Sequence, residues 1–283
     1  MSAGRPLAMH PMSLGEILDG GLTLLKANFR PMVALTALFV VPLQLITAYL
    51  SRDVFGGAGL ADLITQASVA GTAVTSGPGS SVAFGVSTLA AALVMPVLIG
   101  ALCRVAASSY LGTTIRAREA LKMAARRWPS FVGAWILVHL VEGAAGVVLL
   151  LPALGAMALS MAVSPALAVE ELRATAALKR SYRLLWSRFF PTVGVALATV
   201  AVSSGISVAI SIVPEVLALL VGYDRGWALA AGGGAAAALI TQPLVASIAT
   251  VAYLDARIRR EGLDLAIAAR ELSGAPIGAT PSP

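Results

Sequence analysis

Three long tracts of this chain contain no Asp, Glu, Lys, Arg or His: between Asp62 and Arg104, between Glu142 and Glu170, and between Arg225 and Asp255. A helix crossing the hydrocarbon core of a bilayer needs about 20 apolar residues, so each tract is long enough for at least one crossing. Hydrophobic residues make up 58% of the 283, charged residues only 12%, and the mean hydropathy is +0.87. A soluble domain is about a quarter charged, and so few charges cannot cover the surface of a soluble protein this long. The expected fold class is all-α, a polytopic membrane helical bundle.

Six spans are expected, at about residues 31–50, 83–103, 130–150, 152–169, 190–213 and 227–254. The third and fourth are joined by Leu151-Pro152-Ala153-Leu154-Gly155, which must turn the chain sharply. A single helix over 130–169 would overrun a bilayer core about 30 Å thick. Residues 1–272 are read as one integral membrane domain. The Gly/Ser-rich stretch from Ser51 to Ser81 is read as a mobile extracytoplasmic loop and 273–283 as a disordered tail.

Basic residues fix the expected orientation. Eighteen of the twenty Lys and Arg fall on one side of these spans, and only Arg52 and Arg225 on the other. The positive-inside rule puts that side, with both termini, in the cytoplasm. Arg outnumbers Lys 17 to 3 and alanine is abundant, a composition that suits a bacterial genome and hence a bacterial cytoplasmic membrane. The net charge of +6 and pI near 10.0 have the same explanation. The cations anchor beside anionic lipid headgroups, and nucleic acid is not the expected partner.

The segments before the first, third and fifth spans share a pattern. Ser13 and Glu16 form a capping box, with Met12 stapled to Ile17. Leu14, Ile17, Leu18, Leu22, Leu25 and Phe29 then share a face. The second segment has a seam of Ala117, Leu121, Ala124 and Trp128, and the third one of Ala174, Leu178, Leu185 and Phe189. Each ends in an aromatic shortly before Pro31, Pro129 or Pro191. Proline suits the first turn of a helix, where its missing N–H costs nothing. The later span of each unit carries Pro96, Pro165 or Pro243. The expected architecture is three hairpins, each entered through a cytoplasmic amphipathic interface helix.

Three motifs occur in order: Pro11-Met12-Ser13-Leu14-Gly15-Glu16-Ile17-Leu18-Asp19-Gly20, Ala177-Leu178-Lys179-Arg180-Ser181-Tyr182-Arg183-Leu184, and Tyr253-Leu254-Asp255-Ala256-Arg257-Ile258-Arg259-Arg260-Glu261-Gly262-Leu263-Asp264. Together they resemble the actinobacterial branch of the glycerophosphoryl diester phosphodiesterase membrane-domain family, over nearly the whole chain. That family is named for members fused to a soluble phosphodiesterase, an enzyme that needs histidines and carboxylates around a metal. With only His10 and His139, far apart, this chain is not expected to carry that activity.

No catalytic constellation emerges from the residues. Two histidines and the single Cys103 do not suit a thiolate–imidazole metal site. No HExxH pattern is present, no Gly-Lys-Ser/Thr phosphate loop follows Gly232-Gly233-Gly234, and Ser203-Ser204-Gly205 lacks a general base. No cofactor is expected. The candidate intramembrane polar site is His139 and Glu142, three apart on the third span, with Gln44 and Gln242 as neighbours. It reads either as a proton- or substrate-handling site or as a structural hydrogen-bonded pair. Lys26, Arg30, Arg126, Arg127, Lys179, Arg180, Arg183 and Arg188 are the candidate contacts for lipid headgroups or a membrane-protein partner. The functional expectation is a non-catalytic scaffold or accessory subunit for envelope proteins or lipids. The alternative is a small-molecule, lipid or proton-coupled transporter working through His139 and Glu142.

Overall fold

The structure, a computed structural model, describes residues 10–52, 78–148 and 150–272. It is all-helical there, with no strand among the described residues. In chain order the helices are α1 (Leu14–Ala27), α2 (Phe29–Ser51), α3 (Pro78–Tyr110), α4 (Ala117–Arg126), α5 (Trp128–Val148) and α6 (Leu150–Ser160). They continue with α7 (Val163–Glu170), α8 (Ala174–Leu185), α9 (Phe189–Val221), α10 (Tyr223–Glu261) and α11 (Leu263–Leu272), with a 3₁₀ turn, Trp186–Arg188, leading into α9. Six segments are long and apolar enough to cross a membrane, the make-up of a multi-pass membrane protein. They pack as the hairpins α2–α3, α5 with α6–α7, and α9–α10.

Several boundaries depart from expectation. Helix α3 begins at Pro78, inside the stretch read as loop. The rest of that loop, 53–77, and the tail 273–283 lie outside the described residues. The fourth span is two helices, broken at Met161 and Ala162, with Pro165 in the first turn of α7. Proline cannot donate to the carbonyl four residues back and its ring clashes there, so the chain restarts after Met161. Helices α9 and α10 run to 33 and 39 residues, about 50 and 58 Å at 1.5 Å per residue, well beyond a bilayer core. The excess of α10 at its C-terminal end carries the charged sequence on which the candidate site is built.

Pro31, Pro129 and Pro191 all sit in the first turn of their helices. The capping box is formed: the Ser13 N–H donates to Glu16 Oε2 at 2.6 Å and the Glu16 N–H to Ser13 Oγ at 3.4 Å. The buried faces of the short helices overlap the expected seams in part, sharing Ile17, Leu25, Ala124 and Leu185. Ile17, Gly20, Gly21, Leu24 and Leu25 are buried on α1, Ala120 and Ala124 on α4, and Ala177, Ser181, Leu184 and Leu185 on α8. Leu14, Phe29 and Trp128 are exposed. Small residues add to each buried face: Gly20 and Gly21 on α1, Ala120 and Ala124 on α4, and Ala177 and Ser181 on α8. Helix α1 lies on α10, α4 on α3, and α8 on α5 and α7. A Cβ on Gly21 would fall 2.4 Å from Ile248 Cγ1, so α1 approaches α10 at a distance only glycine permits.

Helix α10 is the axis of the bundle, packed on α1, α2, α3 and α9. Its buried Ala230, Ala231, Gly233, Ala235 and Ala237 supply the small face that close helix packing in a membrane requires. Gly222, at φ 87°, makes the tight turn from α9.

Candidate functional site

Near its C-terminus α10 reads Tyr253-Leu254-Asp255-Ala256-Arg257-Ile258-Arg259-Arg260-Glu261. On a helix, residues two apart point to nearly opposite sides and residues four apart to the same side. Asp255 and Arg259 therefore share one face, and Tyr253, Arg257 and Glu261 the other. Each face meets charges brought by other elements, so the end of the bundle that carries α1, α4 and α8 holds two separate clusters.

The first cluster joins α7, α8 and α10. Arg180 donates through Nε to both oxygens of Glu170, at 3.1 and 2.9 Å, and through Nη2 at 2.7 Å. It also grips Glu261, with Nη2 2.8 Å from Oε2 and Nη1 bonded to Oε1. Arg257 Nε lies 3.0 Å from Glu261 and 3.5 Å from Glu170, and the Tyr253 hydroxyl donates to Glu170. Two guanidiniums thus face two carboxylates, and the cluster carries no net charge. It locks three helices together.

The second cluster joins α10 to the start of the chain. Asp255, only 4% exposed, accepts the Met12 N–H at 2.7 Å. Arg259 Nε donates to both Asp255 oxygens, at 3.0 and 2.9 Å, and Arg259 Nη2 to the Met12 carbonyl at 2.6 Å. Arg188 Nη1 stands farther off, 3.6 Å from Asp255 Oδ2. Arg260 is tied to Ser187 Oγ at 2.9 Å and to the Arg183 carbonyl at 2.7 Å. These groups edge a cavity of about 390 Å³ whose other wall is apolar, with Leu14, Ile17, Leu184 and Val195 among its lining.

A third set of contacts caps α7. Glu171 leaves the helix in the left-handed region at φ 52°, and its last carbonyls need donors. Arg104 donates to the Ala168 carbonyl at 2.7 Å; Arg127 donates to Leu167 at 3.2 Å, Leu172 at 2.6 Å and Glu171.

The cations singled out from the sequence therefore divide into two groups. Arg127, Arg180 and Arg188 have internal partners. Lys26, Arg30, Arg126, Lys179 and Arg183 are exposed, and their side chains have no hydrogen bond or ion pair among the described residues. Glu170, Tyr253, Arg259, Arg260, Glu261 and Arg104 were not singled out as site residues. The four-residue spacing of Asp255–Arg259 and Arg257–Glu261 was the available signal; Glu170 and Arg104 gave none, because only folding brings them in.

The four intramembrane polar groups do not converge. His139 is exposed on α5, its ring stacked on Trp135 at 4.0 Å and its Nδ1 2.9 Å from the Trp135 carbonyl. Among the described residues, no hydrogen bond or ion pair links it to half-buried Glu142. Helix α5 packs on α3, α6, α7 and α8. Gln44 lies on α2, beside Gly234 of α10, and Gln242 on α10 itself.

No protein-family model, curated protein or solved structure matches the chain.

Proposed function

We propose that this protein is a non-catalytic scaffold or accessory subunit of a bacterial cytoplasmic membrane, with its basic side and both termini in the cytoplasm. On this reading it belongs with the glycerophosphoryl diester phosphodiesterase membrane-domain family, without the phosphodiesterase. Exposed aromatics Trp128, Trp186 and Phe190 at the basic ends of α5 and α9 suit the headgroup level, and the one-sided distribution of Lys and Arg supports the orientation.

The observation that carries the proposal is the outer face of α5. Ile136, His139, Leu140, Gly143, Ala144 and Val147 form an exposed stripe, and a Cβ on Gly143 would meet nothing within 4 Å. A carboxylate in mid-membrane costs about 2.5–3.5 kcal/mol by insertion scales, and Glu142 borders this stripe. A second membrane helix with polar groups of its own would satisfy His139 and Glu142 and pack closely over Gly143 and Ala144. Transport through the same residues ranks second, since His139 and Glu142 on α5 and the two glutamines on α2 and α10 do not line a common path.

A photo-crosslinker at Ala144, activated in native membranes, tests the proposal. A discrete protein adduct, lost with Gly143→Leu, is expected. Adducts to lipid alone would remove the support for a partner helix. Proteoliposome flux abolished by Glu142→Gln would favour the transport reading.

A further inference from the structure

The geometry points to the cavity between α1, α9 and α10 as a binding site for one anionic phospholipid, its phosphate at Arg188 and the start of its acyl chain along the apolar wall. This deepens the membrane reading above and rests on it, but it does not depend on a partner helix at α5, so either can fail alone.

Four observations carry the inference. The first is charge. Arg188, Arg259 and Arg260 line the cavity against a single carboxylate, Asp255, which is already engaged by the Met12 N–H and Arg259. The neighbouring cluster of Arg180 and Arg257 with Glu170 and Glu261 is neutral, whereas this cavity keeps a positive excess.

The second is unused hydrogen-bonding capacity. A guanidinium has five N–H donors. Arg259 and Arg260 each bond through only two of their nitrogens. The nearest carboxylate oxygen to Arg188 is 3.6 Å away, and its side chain is 41% exposed. Phosphate oxygens are the acceptors that such donors match best.

The third is the shape and polarity of the wall. A volume of about 390 Å³ lies within the range of pockets that take small ligands. One side is guanidinium and the other is Leu14, Ile17, Leu184 and Val195, which fits an amphiphile better than a free inorganic anion.

The fourth is depth. Pro191 and Thr192, in the first turn of the spanning helix α9, line the cavity, and exposed Trp186 and Phe190 lie beside it in the chain. The mouth is therefore where a span enters the bilayer, at the level of lipid phosphates.

The experiment measures phospholipid retained per protein by native mass spectrometry after purification in mild detergent. It also follows thermal unfolding with vesicles of phosphatidylglycerol in phosphatidylcholine, against phosphatidylcholine alone. Wild type should retain an anionic phospholipid and be stabilised only by the anionic vesicles. Arg188→Ala should reduce retention about tenfold, the order of one charge-assisted hydrogen bond. Ala256→Leu fills the cavity without touching a charge and should reduce retention as well, which keeps the test open if Arg188→Ala fails to fold. Lys122→Ala, an exposed cation on α4, should leave retention unchanged.

Equal loss in Lys122→Ala and Arg188→Ala would show only a diffuse film of lipid and overturn the proposal. So would full retention in both Arg188→Ala and Ala256→Leu. Stabilisation by inorganic phosphate as strong as that by the anionic vesicles, and lost in Arg188→Ala, would make the ligand a free anion rather than a lipid. Retained lipid without a protein adduct at Ala144 would leave this site standing and sink the scaffold reading alone.

Discussion

Asp255 holds the backbone of Met12: its carboxylate accepts the Met12 N–H at 2.7 Å, although 243 residues separate the two in the chain. Arg259, one turn farther along α10, takes the carbonyl of the same residue. The pair therefore satisfies both polar groups of a residue just outside α1, where no helix would, and fixes where α1 begins. Buried backbone groups need such partners.

Asp255→Ala leaves the buried Met12 N–H without its acceptor and takes the carboxylate from Arg259, whose side chain is 26% exposed. The cost should be about 3 kcal/mol, the low end for a buried pair because Arg259 is partly exposed. Because the groups act as a unit, Asp255→Ala with Arg259→Ala should cost less than the sum of the two single substitutions. Unfolding of the three variants in detergent measures the coupling, and strict additivity would contradict the clamp.

Arg180 hydrogen-bonds both Glu170 and Glu261 through its planar fork. Arg180→Ala should lower stability by about 3 kcal/mol, the low end for a buried pair because Glu261 is 30% exposed. Arg180→Lys should recover only part of this, since an ammonium cannot serve both carboxylates in that geometry. Full rescue by lysine would mean that charge alone matters there.

Two glycines make opposite predictions. A Cβ on Gly226 would fall 2.5 Å from the Ala218 backbone, so Gly226→Ala should cost about 1–3 kcal/mol through overpacking. Gly143 faces open space, so Gly143→Ala should gain up to about 1 kcal/mol of helix propensity in the isolated protein. Thermal unfolding of both in the same detergent compares them directly.

The Ser13 N–H and hydroxyl lower the Glu16 carboxyl pKa below its ordinary value of 4.5. A carboxylate with a lowered folded-state pKa stabilises above the unfolded value, and that contribution is lost as pH falls through the folded one. Amide exchange over the first turn of α1, corrected for its intrinsic pH dependence, should therefore show less protection once pH drops below the ordinary carboxylate range. Glu16→Gln keeps an acceptor but cannot titrate, and should show no such transition.

The sequence by itself determined the number of apolar spans, the one-sided placement of Lys and Arg, the capping box at Ser13 and Glu16, and the prolines in the first turns of α2, α5 and α9. All of these are local: hydropathy over about 20 residues, or geometry within one turn. The break between α6 and α7 was half legible, because Pro165 was visible but its disruption of a span was not expected. Tertiary structure alone decided which charges met. Glu170 looks like any loop-edge carboxylate until α8 and α10 bring Arg180 and Glu261 to it, and Arg127 looks like a surface cation until α7 ends beside it. It also decided that α1 turns Gly21, rather than its leucine stripe alone, toward α10. A helical wheel ranks faces by hydrophobicity, whereas packing between helices selects the face that allows the closest approach. The apolar spans thus define what crosses the membrane, and long-range pairing at one end of the bundle turns six crossings into a particular molecule.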